Sequence, residues 1–287
     1  MAYPLMEHLI GNGFLYCGKY YRASSELTES LMKPVDARIY YETVRVKDGV
    51  FLFVEDHLNR LVNSVKGLEN FEVDTSKILS EAYSFIHMDK INEGSVRIVL
   101  TKEVLLIHQA DITFPTDEQF ANGINTSILN WERKTPNLKI FRGDYKTTVN
   151  EKFKQENSHG LPFELVLTDN DGKLYEGSMS NLFVIRDGKV YSAPDSKILI
   201  GITRKRVMAA LENAGVELAI GTFRPDELDS EKDAIFVSST PFDILPVRFI
   251  DDYEFNSSDN EVLKMISKCY RDYTEEYIAA YKRAFNG

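Results

Sequence analysis

The sequence predicts a mixed α/β fold of the α+β kind, on three observations. Runs rich in β-branched and aromatic residues meet at Asp-Gly turns, the mark of antiparallel hairpins. Segments with apolar residues at three- and four-residue spacing occur in both halves of the chain, so helices accompany the strands throughout. The chain has 287 residues, about twice the length of a common domain, which favours two domains.

In chain order, residues 39–46 read as a strand that turns at Lys47-Asp48-Gly49 into a return strand at 50–54. Asp56 is the expected N-cap of a helix whose buried stripe is Leu58, Leu61, Val62, Val65 and Leu68. A second helix is expected over 75–87, and a strand at 96–100 after Gly94-Ser95. The stretch DITFPTDEQFANG has Pro, Asn and Gly and little periodicity, so it reads as a linker. The expected division is a smaller N-terminal α/β domain (1–115), a linker (116–124) and a larger C-terminal domain (125–287). The second part opens with a strand at 126–131, a turn at Lys134-Thr135-Pro136-Asn137, a short run at 138–141 and a polar helix over 144–157. Three β-like runs follow at 163–168, at 174–175 continuing into 181–185, and at 189–191. Asn170-Asp171-Gly172 and Arg186-Asp187-Gly188 turn the chain between them. Gly201-Ile202-Thr203 opens a helix with Val207, Ala210, Leu211 and Ala214 inward, and Gly215 ends it. A strand at 234–238 and an acidic, aromatic helix from about Glu261 follow.

The net charge is −10 and the pI near 5.1, which argues against a nucleic-acid backbone as partner. A small anionic ligand stays possible, because a local pocket can be positive on an acidic protein. No stretch reaches the ~18–20 apolar residues of a membrane helix, so no membrane partner is expected. The start, MAYPLMEHLIGNGF, shows no basic segment leading into an apolar one. With only Cys17 and Cys269, a disulfide framework is not available, and the expected location is the cytoplasm. The five histidines are scattered without zinc spacing, and no metal is expected.

Four short segments carry polar chemistry. In Leu199-Ile200-Gly201-Ile202-Thr203-Arg204 a glycine precedes a helix start, where backbone N–H groups and the helix dipole favour an anion; a plain capped helix reads as well. Tyr175-Glu176-Gly177-Ser178-Met179-Ser180-Asn181 interrupts a strand with small residues, which suggests a close backbone approach or a tight turn. His57, Arg60 and Ser64 fall on one side of their helix, and Arg60 offers a planar fork suited to phosphate or a place on the surface. Tyr41, Thr43 and Arg45 share one strand face, beside a pocket or beside a neighbouring strand.

YYETVRV, HLNRL, EGSMSNLF, ILIGITR and VSSTPFDILPV, in this order from Tyr40 to Val247, resemble the class IV (fold type IV) aminotransferases. That family includes branched-chain aminotransferases, D-amino acid aminotransferases and aminodeoxychorismate lyases. The resemblance implies a two-domain fold-type-IV architecture and pyridoxal 5′-phosphate as cofactor, carried by the C-terminal domain. It implies transamination of a small amino acid with a 2-keto acid, with lyase-type elimination of pyruvate as the alternative, and a homodimer. It assigns Glu176 to the pyridine nitrogen and Tyr41 to the substrate's reacting carbon. Arg60, the backbone of Ile202 and Thr203, and Thr240 would hold the phosphate, and Ser180 is counted among the cofactor-binding residues.

The Schiff-base lysine has two candidates, Lys139 at 37 residues before Glu176 and Lys146 at 30. Lys139 follows Arg133-Lys134-Thr135-Pro136-Asn137-Leu138, similar to the family's approach to its lysine, and is expected on a strand end. Lys146 has the Asp144-Tyr145-Lys146-Thr147 context and Asn150 four residues later in its favour, but it falls inside a polar helix and would leave the following helix short, so Lys139 is the choice. Two departures bear on substrate. Pro241 follows Thr240 and has no N–H where relatives supply a donor, and Lys102-Glu103-Val104 stands where D-amino acid enzymes carry a carboxylate-binding arginine.

Overall fold

The computed structural model describes residues 3–286, and the chain divides into two compact units. The first takes the residues up to Thr113, Leu138–Lys146 and those from Glu275 onward; the second takes Phe114–Asn137 and Thr147–Thr274.

In the first unit the chain forms β1 (Tyr3–Pro4), β2 (Gly13–Tyr16), β3 (Lys19–Arg22), α1 (Leu27–Leu31), β4 (Pro34–Val35), β5 (Tyr40–Lys47) and β6 (Val50–Phe51). Then come α2 (Val54–Lys66), α3 (Thr75–Met88), β7 (Gly94–Leu100) and β8 (Leu105–Gln109). A six-stranded antiparallel sheet has the order β3-β2-β8-β7-β5-β6, and β1 pairs with β4 apart from it. Asp48 and Gly49 both take positive φ, 53° and 72°, as the tight β5–β6 hairpin needs. Strand alternation sorts β5: Tyr40, Val44 and Val46 join Leu58, Leu61, Val65, Ile78 and Phe85 in one core. Tyr41 packs in another cluster with Phe14, Val99, Leu106 and Phe141.

The start of α2 corrects an expectation. The return strand stops at Phe51, and the helix begins at Val54 rather than behind an Asp56 cap. Phe53 occupies the N-cap place at φ 54° without a side-chain cap. Its ring is fully buried, 4.9 Å from the Tyr277 ring. Burial of a large aromatic side chain outweighs the ~1–3 kcal/mol of a left-handed non-glycine residue.

The second part of the chain adds α4 (Asp117–Asn122), β9 (Ile124–Asn130), α5 (Gly143–Lys152), β10 (Glu164–Thr168), β11 (Leu174–Gly177), β12 (Asn181–Arg186) and β13 (Lys189–Ser192). It continues with α6 (Ile202–Ala214), β14 (Leu218–Ile220), β15 (Ala234–Ser239), β16 (Asp243–Ile250), β17 (Tyr253–Glu254) and α7 (Glu261–Asn286). A nine-stranded mixed sheet runs β11-β10-β9-β16-β15-β12-β13-β14, with β17 on β16. Ile124, Val166, Leu182, Val184, Ile235, Val237, Leu245 and Val247 form its core.

Three segments differ from the sequence expectation. The stretch read as a linker holds α4, whose Thr116 and Gln119 close a reciprocal capping box. The run at 138–141 makes one isolated bridge, Ile140 opposite Tyr40, instead of a strand. The run from 174 to 185 is two strands: β11 pairs with β10, while β12 pairs with β13 and β15. Among the described residues no helix is long and apolar enough to cross a membrane.

Candidate active site

The first unit mounts Lys139 by anchors on both sides of it. Its backbone N–H donates to Ser64 Oγ at 3.2 Å, and the Phe141 N–H donates to the Ile39 carbonyl at 2.9 Å. Leu138 seats against the C-terminal end of α2 so closely that a Cβ on Gly67 would lie 2.9 Å from its Cδ2. A lysine held this way has little backbone freedom, as a positioned nucleophile requires. Its Nζ stands 4.9 Å from the centre of the Tyr41 ring.

Lys146, the other candidate, lies near the start of α5 with its Nζ 3.6 Å from Glu7 Oε2. Burial pulls its pKa down, against the Glu7 charge that favours the ammonium form. Glu7 also accepts from Tyr3 Oη at 2.7 Å and lies 3.4 Å from Arg97. The Arg97 guanidinium is 5.6 Å from the Tyr41 ring centre and donates to Thr43 Oγ1. Arg97 carried no sequence expectation, and no local signal marks it: its tie to Thr43 comes from the pairing of β5 with β7.

Arg60 meets the buried Glu42 with two prongs: Nε donates to Oε1 at 2.8 Å and Nη2 to Oε2 at 2.6 Å. His57 Nδ1 shares Oε2 at 2.6 Å. Burial pushes the Glu42 carboxyl up, but the Arg60 charge and the bonds from Arg60 and His57 outweigh it and hold it at about 2. Burial lowers His57, keeping the ring neutral. With Nδ1–H donating to Glu42, the buried Nε2 is left as an acceptor without a partner.

In the second unit Glu176 is the last residue but one of β11, 1% exposed. Its Oε2 accepts the Leu199 N–H at 3.1 Å, and its Oε1 lies 2.6 Å from Arg133 Nε as an ion pair. Burial pushes its pKa up to about 7 against the Arg133 charge. Arg133 also donates to the Ser178 carbonyl at 3.1 Å, so it ties the strand end to the turn after it. The Ser180 hydroxyl donates to Glu164 at 2.9 Å.

Helix α6 starts behind Gly201, which makes no side-chain cap. The first-turn N–H groups of Ile202 and Thr203 have no intrahelical acceptor. A Cβ on Gly201 would lie 2.1 Å from Asn181 Oδ1, so only glycine allows this approach. Thr203 is 1% exposed, and its Oγ1 has no hydrogen-bond partner in the protein. Thr240 is buried in the turn between β15 and β16, two residues after Ser238, whose hydroxyl is likewise without a partner.

Fold and comparison agree on the class. A model of the amino-transferase class IV family matches residues 40–250, well over half the chain. The chain belongs to this family of enzymes. It is 24% identical over 229 residues to a D-alanine aminotransferase of Bacillus licheniformis, covering 74% of this chain and 78% of the relative. It is 21% identical over 266 residues to an aminodeoxychorismate lyase of Bacillus subtilis, covering 86% of this chain and 90% of the relative. Among solved structures, a branched-chain amino acid aminotransferase from T.th., complexed with N-(5′-phosphopyridoxyl)-L-glutamate, shares the fold with a TM-score of 0.76 at 18% identity. That likeness covers 96% of this chain and 98% of the other.

Proposed function

We propose that this protein transfers an amino group between a small amino acid and a 2-keto acid, with pyridoxal phosphate held at Lys139. The observation that carries the reading is the buried Glu176 carboxyl, poised at about 7 beside Arg133. A carboxyl desolvated this far gains most from a cationic ring N–H, which is what a pyridine nitrogen becomes on protonation. The cofactor also suits Thr203, because an unpartnered hydroxyl on a helix start fits a phosphate oxygen. When bound, pyridoxal phosphate supplies an aldehyde that captures amines and a ring that withdraws electrons from the substrate's α carbon.

The protein's own groups divide the work. Glu176 holds the proton on the ring nitrogen. The N–H groups of Ile202 and Thr203, with the hydroxyls of Thr203 and Thr240, orient the phosphate, and Arg60 adds positive charge from its Glu42-anchored fork. Ser180 serves through the turn it closes with Glu164. Lys139 would hold the cofactor and, once an amino substrate has displaced it, would be the neutral amine that takes the proton from the substrate's α carbon. Tyr41, against which Lys139 rests, faces the reacting carbon. The reading includes a cytoplasmic homodimer, on the family resemblance and the low cysteine content.

Borohydride reduction of the holoenzyme followed by peptide mapping tests the assignment. The label is expected on Lys139, with Lys139→Ala giving none and Lys146→Met retaining it. Label on Lys146 in the unsubstituted protein would sink the Lys139 assignment. Turnover that depends on a keto-acid acceptor supports transamination; acceptor-independent pyruvate release from aminodeoxychorismate supports the lyase.

A further inference from the structure

Glu164 is a second fully buried carboxyl in the same sheet as Glu176, and the proposed reaction makes no direct use of it. Its Oε1 accepts the Leu165 N–H at 2.8 Å, the Ser178 N–H at 3.1 Å and the Ser178 hydroxyl at 2.5 Å. Its Oε2 accepts the Met179 N–H at 3.3 Å and the Ser180 hydroxyl at 2.9 Å. We infer that Glu164 is a positioning residue for Glu176: it clamps the turn that leaves Glu176 and lends the site negative charge. The inference rests on the reading of Glu176 as the partner of the ring nitrogen.

The geometry carries it in two ways. Four of the five donors belong to Ser178, Met179 and Ser180, which begin two residues after Glu176. The clamp leaves no room at the residue between: a Cβ on Gly177 would lie 1.9 Å from Ser180 Oγ and 3.3 Å from Glu164 Cδ. Glu164 thereby fixes the direction in which the chain departs and, with it, the aim of the Glu176 carboxyl. The second way is electrostatic. Three of the five donors are backbone N–H groups, which can only donate, so the surroundings suit the ionised carboxylate. Burial works the other way and raises its pKa. The charged and titratable groups that act on Glu176 are Arg133, Glu164 and, from its own strand, Tyr175. One guanidinium therefore faces two carboxylates, and a ring cation would complete the balance.

The test is the pH midpoint of the bound cofactor's visible absorbance in the holoenzyme, read without substrate. Glu164→Gln keeps the shape and removes the charge, so its midpoint is expected to fall by about one unit, a roughly tenfold loss of proton affinity. Glu164→Asp keeps the charge and is expected to restore most of it. Should Glu164→Gln fail to fold, Ser178→Ala serves: losing the closest donor weakens the anion and moves the midpoint the same way by a smaller step. Glu176→Gln, run alongside, is expected to move it further than either. A midpoint unchanged in Glu164→Gln or Ser178→Ala while Glu176→Gln shifts overturns the role of Glu164 alone. If Glu176→Gln also leaves it unmoved, the reading of Glu176 falls and takes the inference with it.

Discussion

Glu42 and Arg60, 18 residues apart, meet through two hydrogen bonds of 2.8 and 2.6 Å on a carboxylate that is 0% exposed. Strand β5 supplies the acid and helix α2 the base, so the pair ties sheet to helix as well as aiming Arg60. Removing one partner of such a pair leaves the other charge poorly compensated.

Glu42→Gln is accordingly expected to cost about 3–5 kcal/mol of unfolding free energy in the cofactor-free protein. The partial exposure of Arg60, 13%, favours the lower end. The sign of the pH dependence follows from a carboxyl held at about 2. Its contribution is complete above the ordinary value of 4.5 and is lost as pH falls through 2. Denaturant unfolding at pH 7 and pH 3 should show a wide gap between wild type and variant at pH 7 and a narrower one at pH 3. Equal gaps would mean that the charge of Glu42 is not what stabilises the helix against the sheet.

Glu176 behaves oppositely. Burial raises its pKa from 4.5 to about 7, so the folded chain binds this proton more tightly than the unfolded chain does. The stabilisation is complete below pH 4.5 and is lost as pH rises through 7, a difference of about 3 kcal/mol. Glu176→Gln carries no such titration. Melting of the cofactor-free proteins should show the variant gaining on wild type steadily between pH 5 and 8; a flat difference would contradict the raised pKa. In the holoenzyme, Glu176→Ala should cut turnover far more than it weakens cofactor retention, measured by steady-state assay and equilibrium binding.

The same residues show how far the sequence could be read. The spacing of His57, Arg60 and Ser64 correctly places them along one side of α2. Their partners are Glu42 for the first two and the Lys139 N–H for the third. Those partners lie 15 to 75 residues away, and helical periodicity carries no information at that range. The interruption at Gly177 was legible as a close backbone approach or a tight turn, while what approaches, Ser180 and Glu164, needed the pairing of β10 with β11. Asp48-Gly49 announced its hairpin because two consecutive positive φ angles demand those residue types. Phe53 announced nothing: its left-handed backbone is imposed by the burial of its ring, and local propensity points elsewhere. The β2–β3 hairpin, turned by Cys17 and Gly18, was hidden for a similar reason, since cysteine is an unusual residue at φ 46°.

Thr203 gives the sharpest separation of binding from folding. Its hydroxyl is buried at the start of α6 with no acceptor or donor from the protein. A buried polar atom left unpaired costs free energy, and valine replaces the hydroxyl with a methyl of the same shape. Thr203→Val is therefore expected to leave the cofactor-free protein as stable as wild type, or up to about 1 kcal/mol more stable. If the hydroxyl is there for a phosphate oxygen, the same variant loses a charge-assisted bond and binds pyridoxal phosphate at least roughly tenfold more weakly, ~1.5–3 kcal/mol. Thermal unfolding without cofactor and a binding titration followed by Trp131 fluorescence read the two effects separately. A variant that melts several degrees lower yet binds the cofactor as wild type does would show that the hydroxyl serves the helix and not the ligand.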